Sequence, residues 1–474
     1  MAKRPRLVPD DARYGAMLVL EKVWQGGQVQ EEVTNILNVR EWPLAERHLL
    51  VELCYGVLRT FLRLQFILER YLAQFAKLPL KCRLILAIAL YSLLFLERIP
   101  AHAAVFVAVE TCKKVFGVGL SRVVNACLRK LARLRDLWLE PAAYALSTDD
   151  PKASAEVCLA RYYSLPLWVL EFWRAAYGPT AALQLGARAL RRPSTAILIN
   201  RCNPKAAWFK SQLELFHVKQ LNAIQRIGVW GYGLTIQAWQ NFGANMPLAE
   251  LHQAGVFSYQ GAASQSVLWH LGLHSWSRPV WDMCAGFGGK TAALLEAGVP
   301  VEYCSDLNLK RLRGLTKDLA RRHLPCPTLF LADGSKPPLR HFTGHILIDA
   351  PCSGLGVLAK RPDLKLKRTS KSSLSPFPVT QRALLETAAR FLTPGAELAY
   401  ITCTLNPWEN ELLVQDFMQG HAELELLRQW QTPHMEPHWE GMYGVLIKRK
   451  MSSITPTRKG SGLAVHPRSP SVMS

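Results

Sequence analysis

The chain has 474 residues, 49% of them hydrophobic, so it is long enough for two to four domains with buried cores, and no apolar run approaches the roughly 18 to 20 residues of a membrane-spanning helix. Lys and Arg number 57 against 36 Asp and Glu, giving +21 and a pI near 9.7, which points to a polyanionic partner, most simply nucleic acid. Eleven Cys without a C-x-x-C or a Cys/His quartet argue against a zinc module and leave most of them as small apolar residues.

The segment Met1-Ala2-Lys3-Arg4-Pro5-Arg6 is basic but is not followed by the apolar stretch of a secretory signal, and a cytoplasmic protein is expected. From about residue 10 to 140 apolar residues recur at helical spacing, as in Ala16, Met17, Leu20, Val23 and Trp24, then Leu49 to Leu58. Further helices are expected at Leu62–Phe75, Arg83–Phe95, His102–Phe116 and Ser121–Leu134, with breaks at Pro79, Pro100 and Gly117. The helical pattern continues, rich in aromatics, from Pro141 to Pro193.

Around Thr195 the period changes. Ala196–Asn200 and Leu234–Gln237 read as strands around a helix at Ser211–Gln220, a small α+β module. From Trp276 short apolar strands alternate with helices, at Val280–Asp282, Val301–Cys304, Thr328–Leu331, His345–Ile348 and Glu397–Ile401. Such alternation implies a mainly parallel, doubly wound sheet, which binds ligands beyond the carboxyl ends of its strands. The expected division is 1–140 helical, 141–194 helical linker, 195–262 small module, 263–450 Rossmann-like α/β domain, and 451–474 a disordered basic tail.

Three features fall at those strand ends. After the first strand comes Cys284-Ala285-Gly286-Phe287-Gly288-Gly289-Lys290, whose glycines permit a tight turn into a helix N-terminus. It is not a P-loop, because Cys284 stands where that motif needs its first Gly. Asp306 ends the next strand, where a carboxylate can accept ribose hydroxyls, and Asp333 ends the third, within reach of an adenine amino group. Then come Asp349-Ala350-Pro351-Cys352 and Thr402-Cys403, each after an apolar strand. Carbon 5 of a pyrimidine becomes nucleophilic when a thiolate adds to carbon 6, and a carboxyl such as Asp349, its proton retained by burial, can serve as acid at N3. The residues alone do not say which Cys attacks. His434 and His438 lack a third ligand nearby and read as loop residues; no metal is expected.

The motifs together resemble the bacterial RsmB (Sun) RNA (cytosine-5)-methyltransferases of the NOL1/NOP2/Sun group, over about residues 10 to 450. Cys54-Tyr55-Gly56-Val57-Leu58-Arg59, Arg98 to Val105 and Val124 to Arg129 are similar to that family's all-α NusB-like N-terminal domain. Asp349 to Gly354 with Arg361-Pro362-Asp363 resembles its fourth motif, and Thr402-Cys403 with Glu409-Asn410-Glu411 its sixth. The resemblance implies S-adenosylmethionine as cofactor, bound by Cys284, Ala285, Gly286, Phe287, Gly288, Gly289 and Lys290 with Asp306 at the ribose, Asp333 near the adenine and Asp349 between cofactor and base. It implies Cys403 as nucleophile, Cys352 in product release, and a single-stranded or flipped cytosine of small-subunit ribosomal RNA as substrate. A monomer with no membrane partner is expected. Gly286-Phe287 replace the family's usual Ala-Pro, and Gly261-Ala262 stand where acidic residues usually follow Gln260. The competing expectations are an RNA-binding or ribosome-assembly factor without catalysis, and a methyltransferase acting on another atom.

Overall fold

The computed structural model describes residues 11–145, 154–219, 224–228, 230–244, 246–436 and 438–451; the expected basic tail past Met451 lies outside them. The first six helices are α1 Ala12–Trp24, α2 Val29–Leu37, α3 Leu44–Tyr71, α4 Leu80–Phe95, α5 Ala101–Phe116 and α6 Val118–Arg133. α4 is apolar on every side, so the others pack around it into one core. Pro79 and Pro100 sit at the N-caps of α4 and α5, and Gly117 at φ +84° joins α5 to α6, so the expected breaks hold.

One expectation fails there: the helices ending at Leu58 and starting at Leu62 are a single 28-residue helix, α3. Its polar residues Arg59, Thr60 and Arg63 disguise continuity because they are buried, each hydrogen-bonded. Three helices follow, α7 Ala155–Tyr162, α8 Leu167–Tyr177 and α9 Pro179–Leu190. They share a core with Leu355, Leu358 and Leu405 of two loops near the strand ends described below.

The small module comprises β1 Thr195–Ile199, α10 Ala206–Lys219, β2 Ile224–Ile227, β3 Gly231–Leu234, α11 Ile236–Gly243, α12 Leu248–Gln253 and β4 Phe257–Tyr259, an antiparallel sheet in the order β2-β3-β1-β4. The strand expected through Gln237 stops at Leu234, because Thr235 Oγ1 accepts the Ala238 N–H and caps α11.

The remaining elements are α13 Ala262–Leu271, β5 Val280–Asp282, α14 Gly289–Glu296, β6 Val301–Asp306, α15 Leu309–Arg321, β7 Thr328–Leu331, β8 His345–Asp349, α16 Leu364–Lys367, α17 Pro376–Phe391, β9 Glu397–Thr402, α18 Glu411–Gln419, β10 Leu424–Gln431 and β11 Tyr443–Arg449. The sheet order is β10-β11-β9-β8-β5-β6-β7, with β9 to β7 parallel and β10 and β11 antiparallel. The fold is Rossmann-like, with apolar cores on both faces of the sheet. The antiparallel strands β10 and β11 extend the sheet beyond the alternating units that the sequence displays. Among the described residues no helix is long and apolar enough to cross a membrane.

Candidate active site

Strand order reverses between β5 and its two neighbours, since β6 lies on one side and β8 on the other. Chains leaving β5 and β8 diverge there and leave a crevice at the carboxyl ends. A pocket of about 450 Å³ occupies it, lined by Cys284, Gly286, Asp306, Asp333, Asp349, Cys352 and Cys403. Seven of the residues singled out in the sequence therefore meet in one space. Ala285, Gly288, Gly289 and Lys290 stand behind its wall, and the Phe287 ring is exposed beside it.

The glycine loop is built for close approach. Gly286 and Gly288 have φ of +57° and +81°, and a Cβ on Gly288 would come 2.6 Å from Leu315 Cγ. A Cβ on Gly286 would meet nothing within 4 Å, which leaves the pocket side of the turn open. Phe287 lies across α15 at Gly314, where a Cβ would come 2.6 Å from its ring. Gly314 is what makes room for the bulkier residue.

Asp306 accepts from the Gly286 N–H at 3.0 Å and the Asn308 N–H at 2.8 Å, which fixes the carboxylate and leaves lone pairs for hydroxyl donors. Asp333 accepts from the Ser335 N–H and hydroxyl at 2.8 and 2.7 Å. With the open glycine turn and exposed Leu307 on the wall, these carboxylates fit a nucleoside-bearing cofactor. Asp282, wholly buried and beside Thr291, has its carboxyl pushed up to about 7 by burial.

Asp349 departs from expectation. It was to be a buried carboxyl, but its side chain is 34% exposed and Oδ2 lies 2.6 Å from Lys290 Nζ. Burial opposes the Lys290 charge, yet the adjacent carboxylate more than offsets this and holds the ammonium above its usual value. The loop lysine thus serves Asp349 from behind the pocket.

Cys352 Sγ lies 3.1 Å from Cys403 Sγ and also accepts the Cys403 N–H at 3.3 Å. The two thiols titrate together. A hydrogen bond from Cys352 S–H holds Cys403 below its ordinary value, opposed by burial and by Asp349 and aided by Lys290. The same bond, with burial, pushes Cys352 well up. The arrangement favours a thiolate at Cys403 with Cys352 as its donor.

Residues beyond the expected site hold the two loops together. Glu409, fully buried, accepts from Ser353 N–H at 2.8 Å, Gln381 Nε2 at 3.0 Å and Asn406 Nδ2 at 2.6 Å. Asn410 accepts from Thr402 Oγ1 and donates to the Thr404 carbonyl. Glu409 and Asn410 fall within a motif that the sequence flagged, but Gln381 carries no signal at all. The helical domain reaches the same loop: Lys365 Nζ donates to the Arg59 carbonyl at 2.7 Å, and Arg59 Nε to the Ala359 carbonyl at 3.3 Å.

Gly261, where the family usually has an acidic residue, leaves space that Glu440 fills; a Cβ there would collide with its carboxylate. Glu440 accepts from Ala263 N–H at 3.1 Å and pairs with Lys360. His434 packs on Tyr177 and His438 is exposed, and among the described residues no group of His, Cys, Asp or Glu could hold a metal.

Comparison with known proteins agrees with these features. Residues 272–459 match the family described as 16S rRNA methyltransferase RsmB/F, and residues 10–133 the NusB family. The probable ribosomal RNA small subunit methyltransferase B of Synechocystis sp. is 30% identical over 81% of this chain and 84% of its own length. The ribosomal RNA small subunit methyltransferase B of Vibrio cholerae is 30% identical over 85% of this chain and 89% of its own. The crystal structure of PH0851 superposes with a TM-score of 0.70 at 18% identity, covering 94% of this chain and all of that one, a likeness of fold.

Proposed function

Because the chain belongs to the ribosomal RNA small subunit methyltransferase B family, we propose that it methylates carbon 5 of a cytosine in small-subunit ribosomal RNA through a covalent adduct on Cys403. S-adenosylmethionine, when bound against the glycine loop with Asp306 at its ribose and Asp333 toward its adenine, supplies the methyl group. The observation that carries the reading is the thiol pair: Cys352 Sγ and Cys403 Sγ lie 3.1 Å apart inside the pocket that holds these carboxylates.

Each protein group has a task. Cys403 Sγ adds to carbon 6 as a proton passes from the Lys290 ammonium through Asp349 to N3, so that no net charge is left on the base. After transfer, a solvent water takes the carbon-5 proton, the N3 proton returns through Asp349 to Lys290, and the re-formed 5,6 double bond expels the Cys403 thiolate, which the Cys352 S–H meets as donor. Residues 263–450 carry the chemistry, 1–140 and 195–262 hold RNA around a linker at 141–194, and the protein acts as a monomer.

The test uses purified protein, radiolabelled methyl donor and unmodified small-subunit ribosomal RNA, digested afterwards to nucleosides. Label in 5-methylcytidine is expected. Label in another nucleoside overturns the carbon-5 assignment. RNA binding without cofactor binding or transfer would make the protein an assembly factor.

A further inference from the structure

Several surface cations pair with carboxylates: Lys22 with Glu32, Arg226 with Glu214, and half-buried Arg382 with Glu386 and Asp416. One concave region breaks this pattern. A groove of about 720 Å³ between α17 and the β7–β8 connection is lined by Lys336, Arg340, His341, Arg390 and Arg449, and no Asp or Glu lines it. Arg449 is anchored to the carbonyls of Ala389 and Leu392, and Arg390 to Thr387 Oγ1. Lys336, Arg340 and His341 are exposed and enter no ion pair among the described residues.

Like charges gathered in a concavity repel one another and work against the fold, so their clustering needs a counter-charge from outside. The groove lies by the amino ends of β8 and β9, at the opposite end of α17 from the candidate active site, and the chain joins the two. Ser335, on its rim, directly follows Gly334 of the catalytic pocket, and α17 carries Thr380 on the pocket and Arg390 on the groove. Ten residues of helix separate these two, about 15 Å, the span of four to five stacked nucleotides.

We propose that this groove is a second RNA-binding site, taking the phosphate backbone of the substrate strand on the α17 side of the target nucleotide. The occupant is a polyphosphate chain, because four cations, Lys336, Arg340, Arg390 and Arg449, spread along the groove offer several separate contacts and no carboxylate selects against anions. The inference rests on the reading of the protein as an RNA methyltransferase.

The experiment compares wild type with Lys336→Ala/Arg340→Ala/Arg390→Ala, and with Arg340→Glu alone, using an unmodified small-subunit ribosomal RNA transcript. These side chains are surface-exposed, and an unchanged melting temperature checks folding. Losing three phosphate contacts should reduce the slope of log K against log salt by about 2. The Michaelis constant for RNA should rise at least tenfold, with cofactor affinity and kcat at saturating RNA unchanged; Arg340→Glu should raise it further than a neutral replacement. Unaltered slope and Michaelis constant in a methylating enzyme overturn the groove. A slope change in a protein that transfers no methyl keeps the groove and overturns the catalytic reading. An effect seen only with a protein-bearing ribosomal particle, and not with bare transcript, overturns it in favour of a protein contact.

Discussion

Cys352 Sγ and Cys403 Sγ stand 3.1 Å apart, and the Cys403 N–H points at the Cys352 sulfur. Each thiol therefore bears on the ionisation of the other, and with Cys352 S–H as donor the reactive thiolate falls on Cys403. Because the thiolate is the reactive form, activity should rise with pH through the lowered Cys403 value. Cys352→Ala removes the donor that lowers it, so the rising limb of the pH profile for single-turnover adduct formation should move to higher pH. Cys352→Ser, which keeps a donor, should move it less. Identical profiles in all three proteins would separate the thiols functionally.

Cys403→Ala should abolish transfer and leave RNA binding intact. Cys352→Ala should instead accumulate a protein–RNA adduct, seen as a shifted band that survives denaturation, because expulsion of the Cys403 thiolate has lost its donor. A band from the Cys403 variant and none from the Cys352 variant would exchange the two assignments.

Glu409 ties the two cysteine loops through three hydrogen bonds to a buried carboxylate. Each such charge-assisted bond contributes about 1.5–3 kcal/mol, and a displacement of about 1 Å at the sulfur can cost 100-fold in rate. Glu409→Ala should reduce kcat by about two orders of magnitude with little change in cofactor affinity. Retention of most of kcat would remove it as a positioning residue.

The candidate site was legible because its residues sit at the carboxyl ends of short apolar strands. Asp306, Asp349, Cys352 and Cys403 each follow a strand whose period the sequence displays. What escaped has a common cause, namely contacts between segments far apart in the chain. Gln381 lies on an ordinary helix, and Glu440 reaches Gly261 from the β10–β11 connection. Arg59 and Arg63 were buried by docking rather than by periodicity, so α3 looked like two helices. Asp349 was read as buried because the lysine that pairs with it lies in a different motif.

The substitution of Phe287 for the usual proline is matched by Gly314, whose missing side chain lets the ring lie on α15. In an ordinary helix Gly→Ala gains about 1 kcal/mol. Here Gly314→Ala should instead displace Phe287 and weaken S-adenosylmethionine binding several-fold by calorimetry. Phe287→Ala/Gly314→Ala should recover most of that loss, since the clash is gone. Additive effects of the two changes would show that the residues act independently.

Lys365 couples the helical domain to the loop after Cys352. Burial, with the Arg59 charge nearby, lowers its amine from 10.5 to about 7, while Nζ donates to the Arg59 carbonyl. Because the folded value is depressed, the unfolded chain binds more protons between about pH 7 and 10.5. Stability from this site is therefore full above the unfolded value and is lost as pH falls toward 7. Lys365→Met has no such proton to bind, so wild type should gain on the variant as pH rises from 7 to 10, by on the order of 3–4 kcal/mol. Urea unfolding of both full-length proteins across that range reads the difference directly. A constant gap would mean that the amine is solvated and the two domains are not held through it.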